Sequence, residues 1–285
     1  MTRPINLHVC WLLLITTASP AFPWWDTGHV LIAEIALIQL PPDVPEFLKE
    51  QKATLTYMST EPDNWRKYGD ALRLAEGPNH YLDLETIDKH VEAVTPLSDR
   101  YSAIFSYQAK GDSVQHVGLL PYQILEYYQR LKGEFKRYRE RTVDQKAIEA
   151  AIVVYAGLMS HYVGDVSQPL HTTIHFNGRV NERREVIAQK GIHSRFEGPF
   201  VERYIHVADC LKFVDAPRVC ADPSAEVMKA ILASHRLVDT VYQLDATGKL
   251  DQPDQETIEF VQRRIAAGAQ LLVDLWYTAW VESGK

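Results

Sequence analysis

The sequence lacks long hydrophobic runs outside its first 23 residues, and it has little cysteine. After residue 23, no apolar run approaches the roughly 18 residues that a bilayer-spanning helix needs. No internal repeat, low-complexity tract or clear linker interrupts the chain. With 46% hydrophobic and 24% charged residues in 285, the composition predicts a globular chain with one sizeable core.

The chain also lacks an excess of positive charge, since its formal net charge is −7. Nucleic-acid binding through side-chain charge alone is therefore unfavourable. An anionic substrate would need a local cationic centre, which a bound metal ion can supply. The basic run "KGEFKRYRER" (132–141) is interpreted as a solvated helix face, with a nucleic-acid patch as the alternative.

Two catalytic motifs of other metal hydrolases are missing. No HExxH occurs, which excludes the common zinc-protease motif. No histidine is followed directly by aspartate, as the His-Asp phosphohydrolases require.

Residues 1–23 have the pattern of a secretory leader. Arg3 precedes the apolar run "VCWLLLITTA", and the small residues and proline of "ASPAFP" follow. We expect removal of 1–23, a mature domain at 24–285, and a secreted or periplasmic protein. An ordered N-terminal helix is the alternative. Cys210 and Cys220 would remain after cleavage, and their spacing leaves open whether they form a disulfide or two free buried thiols.

Helical periodicity dominates the mature sequence, and strand-like alternation is weak. The predicted helices cover 28–40, a segment from Pro121, 144–165, and a C-terminal stretch with apolar residues three or four apart from Ile258 to Leu272. Longer loops are expected around 76–100 and 171–192. The prediction is an all-α, single-domain bundle of unequal helices.

The stretch "SHYVGDVSQPLH" (160–171) carries three groups that can ligate metal. His161 and Asp165 are four residues apart and share one helix face. Pro169 ends the helix and directs His171 away from its axis. A metal site is one interpretation. A buried His–Asp hydrogen bond with an unrelated surface histidine is the other.

Recurrence of the pattern favours the metal site. "GIHSRFEG" gives His193 and Glu197, again four apart, while further candidates are His29 in "WWDTGH", Asp63 in "TEPDNWR" and His80 in "PNHYLDL". Imidazole nitrogens and carboxylate oxygens are the ligands that zinc favours in catalytic sites.

These motifs together resemble the zinc-dependent phospholipase C and single-strand-specific nuclease superfamily, of the P-one and S-one type. The resemblance covers essentially the whole mature chain, and the string H-x3-D-x3-QP-x-H is specific. It implies a helical fold of that type and a cleft with three zinc ions. Transferred by motif, the first ion is held by Asp63, His80, His161 and Asp165, the second by His171, His193 and Glu197, and the third by Asp165, His29 and the N-terminal amine and carbonyl of Trp24.

The sequence departs from the family pattern at three places. Glu197 stands where the nucleases usually have aspartate, and Pro199 follows it closely. Pro23 directly before Trp24 is unfavourable for signal-peptidase cleavage, and cleavage after Ala21 would leave two residues in front of Trp24. Without further trimming, the third zinc site would be incomplete.

The resemblance implies phosphoester hydrolysis by a metal-activated water, with Asp63 orienting the nucleophile and Arg66 stabilising phosphate charge. Tyr81 would stack on a base and Asp83 would accept from its edge, as in the nuclease branch. Core packing of Tyr81 and a surface salt bridge of Arg66 are the alternatives. The expected substrates are single-stranded DNA, RNA and nucleotides, and no protein partner is evident.

Other features leave two further functions open. "GIHSRFEGPFVERY" is similar to the phospholipases, and the Gly-Gly-Asn of many nucleases is absent after "QPLH". A phospholipase C acting on lipid headgroups is the first alternative, and a non-catalytic helical binding protein with eroded metal sites is the second. The segment 172–192, with Arg179, Arg183 and Arg184, is expected to form a lip over the cleft, or a charged loop.

Overall fold

The computed structural model describes residues 25–141 and 144–285, without the side chain of Trp25. The predicted leader (1–23) and Trp24 lie outside this part. The helices in it are α1 Trp25–Gln39, α2 Phe47–Glu50, α3 Lys52–Met58, α4 Glu61–Trp65, α5 Asp70–Glu76, α6 Leu84–Ile87, α7 Arg100–Ala109, α8 Val114–Val117, α9 Leu120–Glu140, α10 Gln145–Ser167, α11 Ile192–Glu197, α12 Pro199–Tyr204, α13 Val207–Leu211, α14 Pro223–His235, α15 Val238–Ala246 and α16 Gln255–Glu282. The all-α prediction is confirmed.

Helix α10 forms the centre of the bundle and packs against α9, α16, α3 and α1. Asp144 begins it, because its carboxylate accepts a hydrogen bond from the backbone N–H of Lys146 at 2.9 Å. From Ala156 to Ser167 every residue is buried. This stretch therefore meets protein on all sides, which brings His161 and Asp165 into the interior.

The length and apolar composition of α10 would suffice to cross a membrane. However, 67% of its apolar window is buried inside the fold. A helix that is covered by its neighbours in this way is typical of the core of a folded domain.

Single residues also mark where neighbouring helices begin or end. Pro121 lies in the first turn of α9, where its missing N–H costs no helical hydrogen bond. Asp254 caps α16 by accepting from the backbone N–H of Thr257 at 2.9 Å. Pro41 follows the end of α1 and prevents its extension.

The two predicted long loops contain more structure than expected. The first holds α6 and the 3₁₀ turns Gly77–His80 and Val91–Ala93. The second begins with the 3₁₀ turn Pro169–Thr172 and then forms an antiparallel hairpin of β1 (Arg179–Val180) and β2 (Val186–Ala188). The register pairs Arg179 with Ala188 and Val180 with Val186, with a bulge between them. Treating 171–192 as a loop was therefore wrong for these five residues.

Cys210 and Cys220 are both buried and unbridged. Of the two possibilities left open by their spacing, the structure contains the free thiols. Burial raises the pKa of Cys210 to about 12, so this thiol stays protonated and unreactive at neutral pH.

Candidate metal centre

His161 and Asp165 extend from α10 into a buried cluster. The Nδ1 atom of His161 lies 2.8 Å from the backbone carbonyl of Ser59. Because a carbonyl only accepts, Nδ1 carries the proton and Nε2 presents its lone pair to the cluster. This nitrogen lies 3.5 Å from Oδ2 of Asp165, so the face predicted from the four-residue spacing is confirmed.

His80 and His171 are brought together by backbone pairing between distant segments. Leu82 donates its N–H to the carbonyl of His171 at 2.9 Å, and Nδ1 of His171 donates to the carbonyl of His80 at 2.5 Å. Gly118 makes room for the first of these segments. Its φ is +89°, and a Cβ there would lie 2.0 Å from the carbonyl oxygen of Tyr81.

His193 and Glu197 lie on α11, which ends at Glu197, and Gly198 separates it from Pro199 at the start of α12. The proline thus starts a new helix and leaves the preceding turn intact. Nδ1 of His193 is 3.1 Å from the carbonyl of Phe176, and Nε2 is 3.0 Å from Oε1 of Glu197. His193 is therefore oriented by a backbone carbonyl, as His161 and His171 are.

His29 reaches the cluster because α1 crosses α10 closely at Gly164. A Cβ at Gly164 would lie 2.8 Å from Nδ1 of His29. The imidazole stacks on His161 with 3.8 Å between ring centroids, and its Nε2 lies 3.7 Å from Oδ1 of Asp165. Asp165 thus faces His29 of α1, His161 of its own helix and His80.

The predicted ligands form three groups in which the ligand atoms lie within 4.8 Å of one another. The groups are His29, Asp63 and His161; His80, His161 and Asp165; and His171, His193 and Glu197. Within the part of the chain that the structure describes, the buried ligand atoms that make no hydrogen bond include Nε2 of His80, Oδ1 of Asp165, Nε2 of His171 and Oε2 of Glu197. Unsatisfied buried polar atoms are costly, and bound cations would relieve that cost.

The electrostatics of the cluster also fit a cation. Burial and the carboxylates of Asp63 and Glu197 raise the pKa of Asp165 well above its usual value. Burial raises the pKa of Asp63 to about 7, although Arg66 opposes this. Three carboxylates therefore repel one another in a buried space, and divalent metal would relieve that repulsion.

Three of the ligand histidines are in the protonation state that metal binding requires, whereas at His193 burial lowers the pKa but the Glu197 carboxylate outweighs it and raises the value. Burial lowers the pKa of His80, His161 and His171, so these imidazoles are neutral at pH 7. Burial also acts to raise the pKa of Glu197, but His193 and His171 outweigh it and bring the value to about 2. The donor set of imidazole nitrogens and carboxylate oxygens fits zinc.

His80, His171 and His193 of the cluster form the floor of a cleft of about 360 Å³. Arg66 lies at this floor, where its Nη2 donates to Oδ1 of Asp63 at 2.6 Å. Arg66 therefore forms a salt bridge, as the alternative interpretation proposed. This salt bridge lies at the cleft and not on the outer surface of the protein. The cleft is lined by Arg66, His80, Tyr81, Asp83, Gln115, His116, Leu170, His171, Phe176, Asn177, Arg184 and His193.

Tyr81 and Asp83 form one wall of this cleft. The hydroxyl of Tyr81 donates to the carbonyl of Gln115 at 2.8 Å, which fixes the ring beside the open space. Asp83 is buried, and burial together with Glu85 raises its pKa to about 8. Its carboxyl group is therefore largely protonated at pH 7.

The structure thus gathers every predicted ligand within the described residues, and the predicted substrate residues line the same cleft. Trp24 lies outside the described residues. Sequence reasoning missed five lining residues, which are Gln115, His116, Leu170, Phe176 and Asn177. Only Gly118, with its positive φ, gives a local hint that the chain turns there to meet Tyr81.

The family of the chain follows from a comparison with a family model. A model of the S1/P1 nuclease family matches residues 24–184, which is more than half of the chain. A curated relative from Bradyrhizobium tropiciagri, described as a probable serine protease, is 24% identical over an alignment of 372 residues. That alignment covers 96% of this chain and 46% of the relative, so the chain spans about half the length of that protein.

Two solved structures are similar over most of the chain. The alpha-toxin of Clostridium perfringens from an avian strain matches with a TM-score of 0.45 and 14% identity, covering 90% of this chain and 64% of the toxin. The alpha toxin from Clostridium absonum matches with a TM-score of 0.45 and 15% identity, covering 92% and 66%. The family model carries the assignment: the chain belongs to the S1/P1 nuclease family.

Proposed function

We propose that the chain is a zinc-dependent phosphoesterase that hydrolyses phosphodiester bonds in single-stranded DNA and RNA and removes 3′-phosphate from nucleotides. The observation that carries this proposal is that three adjoining histidine–carboxylate groups meet, through His80, His171 and His193, a cleft that Arg66 also lines. Family membership supports the reaction class.

The proposed ligand sets follow the geometry. Asp63, His80, His161 and Asp165 would hold one ion, and His171, His193 and Glu197 a second. Asp165 and His29, with the N-terminal amine of Trp24, would hold a third. This third set requires that residues 1–23 are removed on export, which we also propose. Zinc, when bound, acts as a Lewis acid and lowers the pKa of a bound water towards neutrality.

Arg66 and Asp63 would then act as a pair on the substrate. Arg66 has five N–H donors, and one of them, on Nη2, donates to Asp63. The other donors are available to hold the oxygens of a phosphate against the floor of the cleft. The bond to Arg66 fixes the Asp63 carboxylate, which can orient a water for attack on phosphorus.

The wall of the cleft suits a nucleobase. Tyr81 offers an aromatic face of fixed orientation, on which any base can stack. A largely protonated Asp83 can both donate to and accept from a base edge. These two residues would position the nucleotide whose phosphate contacts Arg66.

The charge of the cleft favours a nucleic acid over a choline-type lipid headgroup. Arg66 and Arg184 line it together, whereas the lining carboxyl group, Asp83, is largely neutral. Two guanidinium groups attract phosphate oxygens and repel a quaternary ammonium. Hydrolysis of a phospholipid is therefore the second candidate.

A single preparation tests the proposal. The mature protein is purified, its first residue is read, its zinc is counted, and it is assayed on single-stranded DNA, RNA, a 3′-mononucleotide and phosphatidylcholine. We expect zinc and hydrolysis of the nucleic-acid substrates. Hydrolysis of phosphatidylcholine alone would support the phospholipase C. A zinc-loaded sample that hydrolyses none of the four substrates would support a non-catalytic binding protein.

A further inference from the structure

The hairpin β1–β2 is held in a defined shape by its own turn. Asn181 accepts hydrogen bonds at its side-chain oxygen from the N–H groups of Arg183 at 2.9 Å and Glu185 at 3.0 Å. Its side-chain nitrogen donates to the carboxylate of Glu185 at 2.8 Å. Arg184, between them, has a φ of +59°. These contacts fix the direction in which the Arg184 side chain leaves the turn.

The base of the hairpin is anchored to α15. The guanidinium of Arg179 lies 3.9 Å from the ring centroid of Tyr242 and forms an ion pair with Asp239. Gln189 donates to the carbonyl of Tyr242 at 2.9 Å and to Oδ2 of Asp245 at 2.8 Å. Anchors at both strands keep the base of the hairpin on this side of the cleft.

The tip of the hairpin contacts the opposite wall. Nη2 of Arg184 donates to the hydroxyl of Thr86 at 2.7 Å, across 98 positions in the sequence, and Nη1 lies 3.8 Å from Oδ2 of Asp83. Arg184 lines the cleft with Arg66 and Tyr81. The hairpin therefore bridges the mouth of the cleft and places a second cation there.

Most of the hydrogen-bonding capacity of Arg184 is unused in this position. Among its five N–H donors, one meets Thr86, and the 3.8 Å separation from Asp83 is too long for a hydrogen bond. The side chain is 40% exposed, so an incoming anion can reach it. A guanidinium with free donors at a concave, accessible site is a strong phosphate ligand.

We propose that Arg184 binds the phosphate adjacent to the scissile one in a single-stranded polynucleotide, and so makes the protein prefer oligonucleotides to substrates with one phosphate. This inference rests on the proposed nuclease function. Arg66 holds the reacting phosphate at the floor of the cleft, and Arg184 holds its neighbour at the mouth. The base between them faces Tyr81.

Thymidine trinucleotides with one neutral linkage test this role. Two isomers are made in which either the first or the second phosphodiester is replaced by an uncharged, uncleavable methylphosphonate. Cleavage of each remaining linkage is quantified by chromatography, for these isomers and for the all-phosphate trinucleotide. For wild type we expect one isomer to be cleaved with a kcat/KM roughly tenfold lower than the same linkage in the all-phosphate compound.

Arg184→Gln should abolish that tenfold difference and leave kcat/KM on the affected isomer within about twofold of wild type. Arg183→Gln is the matched control, because Arg183 carries the same charge in the same turn and its side chain makes none of the contacts described for Arg184. It should retain the wild-type preference. Zinc content and melting temperature of both variants are measured to confirm folding.

Arg184→Lys keeps the charge but lacks the planar guanidinium group. We expect its ratio of kcat/KM between the all-phosphate trinucleotide and the affected isomer to lie between those of wild type and Arg184→Gln. Equal losses on all three trinucleotides in Arg184→Gln would show that the residue only ties the hairpin to Thr86, and would overturn the inference. An equal loss in Arg183→Gln would assign the effect to net charge and overturn it too. If zinc-loaded wild type cleaves none of the trinucleotides, the proposed function itself fails.

Discussion

Gln168 and Glu197 are joined by a hydrogen bond in the interior, from Nε2 of the amide to Oε1 of the carboxylate. The amide oxygen of Gln168 accepts from the N–H of Leu170 at 2.5 Å, which fixes the orientation of the amide. Oε2 of Glu197 is left without a hydrogen bond among the described residues. Gln168 therefore holds Oε1 of Glu197, the oxygen that also lies 3.0 Å from Nε2 of His193 and 3.4 Å from Nε2 of His171.

Removing this amide should loosen the second ligand group. For Gln168→Ala we expect zinc affinity at the site of His171, His193 and Glu197 to fall by roughly 10–100-fold, because outer contacts orient metal ligands. A competition titration with a chromophoric chelator measures this. Gln129→Ala, at an exposed position of α9, is the control. Unchanged zinc affinity in Gln168→Ala would mean that Glu197 is positioned by its backbone alone.

The carboxylate of Asp165 contacts four histidines. It lies within 4 Å of ring nitrogens of His29, His80, His161 and His171. Asp165→Asn keeps the shape and removes the charge. We expect loss of bound zinc, measured by elemental analysis, and a fall in turnover to the background of the assay. A variant with the full zinc content and wild-type turnover would contradict the assignment.

Tyr81→Ala should act on substrate binding rather than on the reaction. Loss of a stacked base costs about 1–3 kcal/mol, so KM for an oligonucleotide should rise roughly tenfold. A small aryl phosphodiester has no base to stack, and its kinetic constants should change little. Equal losses on both substrates would show that Tyr81 only packs against Gly118 and Gln115.

The ionisation of Asp83 predicts a pH effect on binding. Burial raises its pKa to about 8, so the carboxyl group is protonated below that pH and becomes an anion above it. An anion beside the substrate phosphate weakens binding, and KM for an oligonucleotide should therefore rise between pH 7 and pH 9. In Asp83→Asn the side chain stays neutral, and this rise should be smaller.

The ratio of the two KM values at each pH isolates this effect, because titrations elsewhere in the site occur in both proteins. The raised pKa also has a consequence for stability. Ionising a buried carboxylate disfavours folding, so stability is lost as the pH rises from the unfolded pKa to the folded one. Asp83→Asn should accordingly melt at a higher temperature than wild type at pH 8. Parallel pH profiles of KM would count against a role for Asp83.

Much of this site was predictable because its ligands lie on regular elements or in specific motifs. The four-residue spacings of His161 and Asp165, and of His193 and Glu197, determine a shared helix face from local geometry alone. The ends of α1 and α10 follow from proline, which cannot continue a helix. These signals depend only on residues that are close in sequence.

The parts that were missed depend on long-range contacts. The hairpin β1–β2 has only five strand residues and little alternation, and its shape comes from Asn181 and from anchors on α15. The role of Gln168 depends on a partner 29 positions away. Gln115 and His116 line the cleft because Gly118 packs against Tyr81. The glycine indicates a turn, but nothing near it in the sequence identifies Tyr81 as its partner.

The central claim is that distant histidines and carboxylates converge to bind zinc. A crystal of the mature, zinc-loaded protein, with data collected on both sides of the zinc absorption edge, tests it most directly. We predict anomalous peaks among His80, His161 and Asp165 and among His171, His193 and Glu197. A map in which those side chains surround no metal, although zinc was present during purification and crystallisation, would contradict the account.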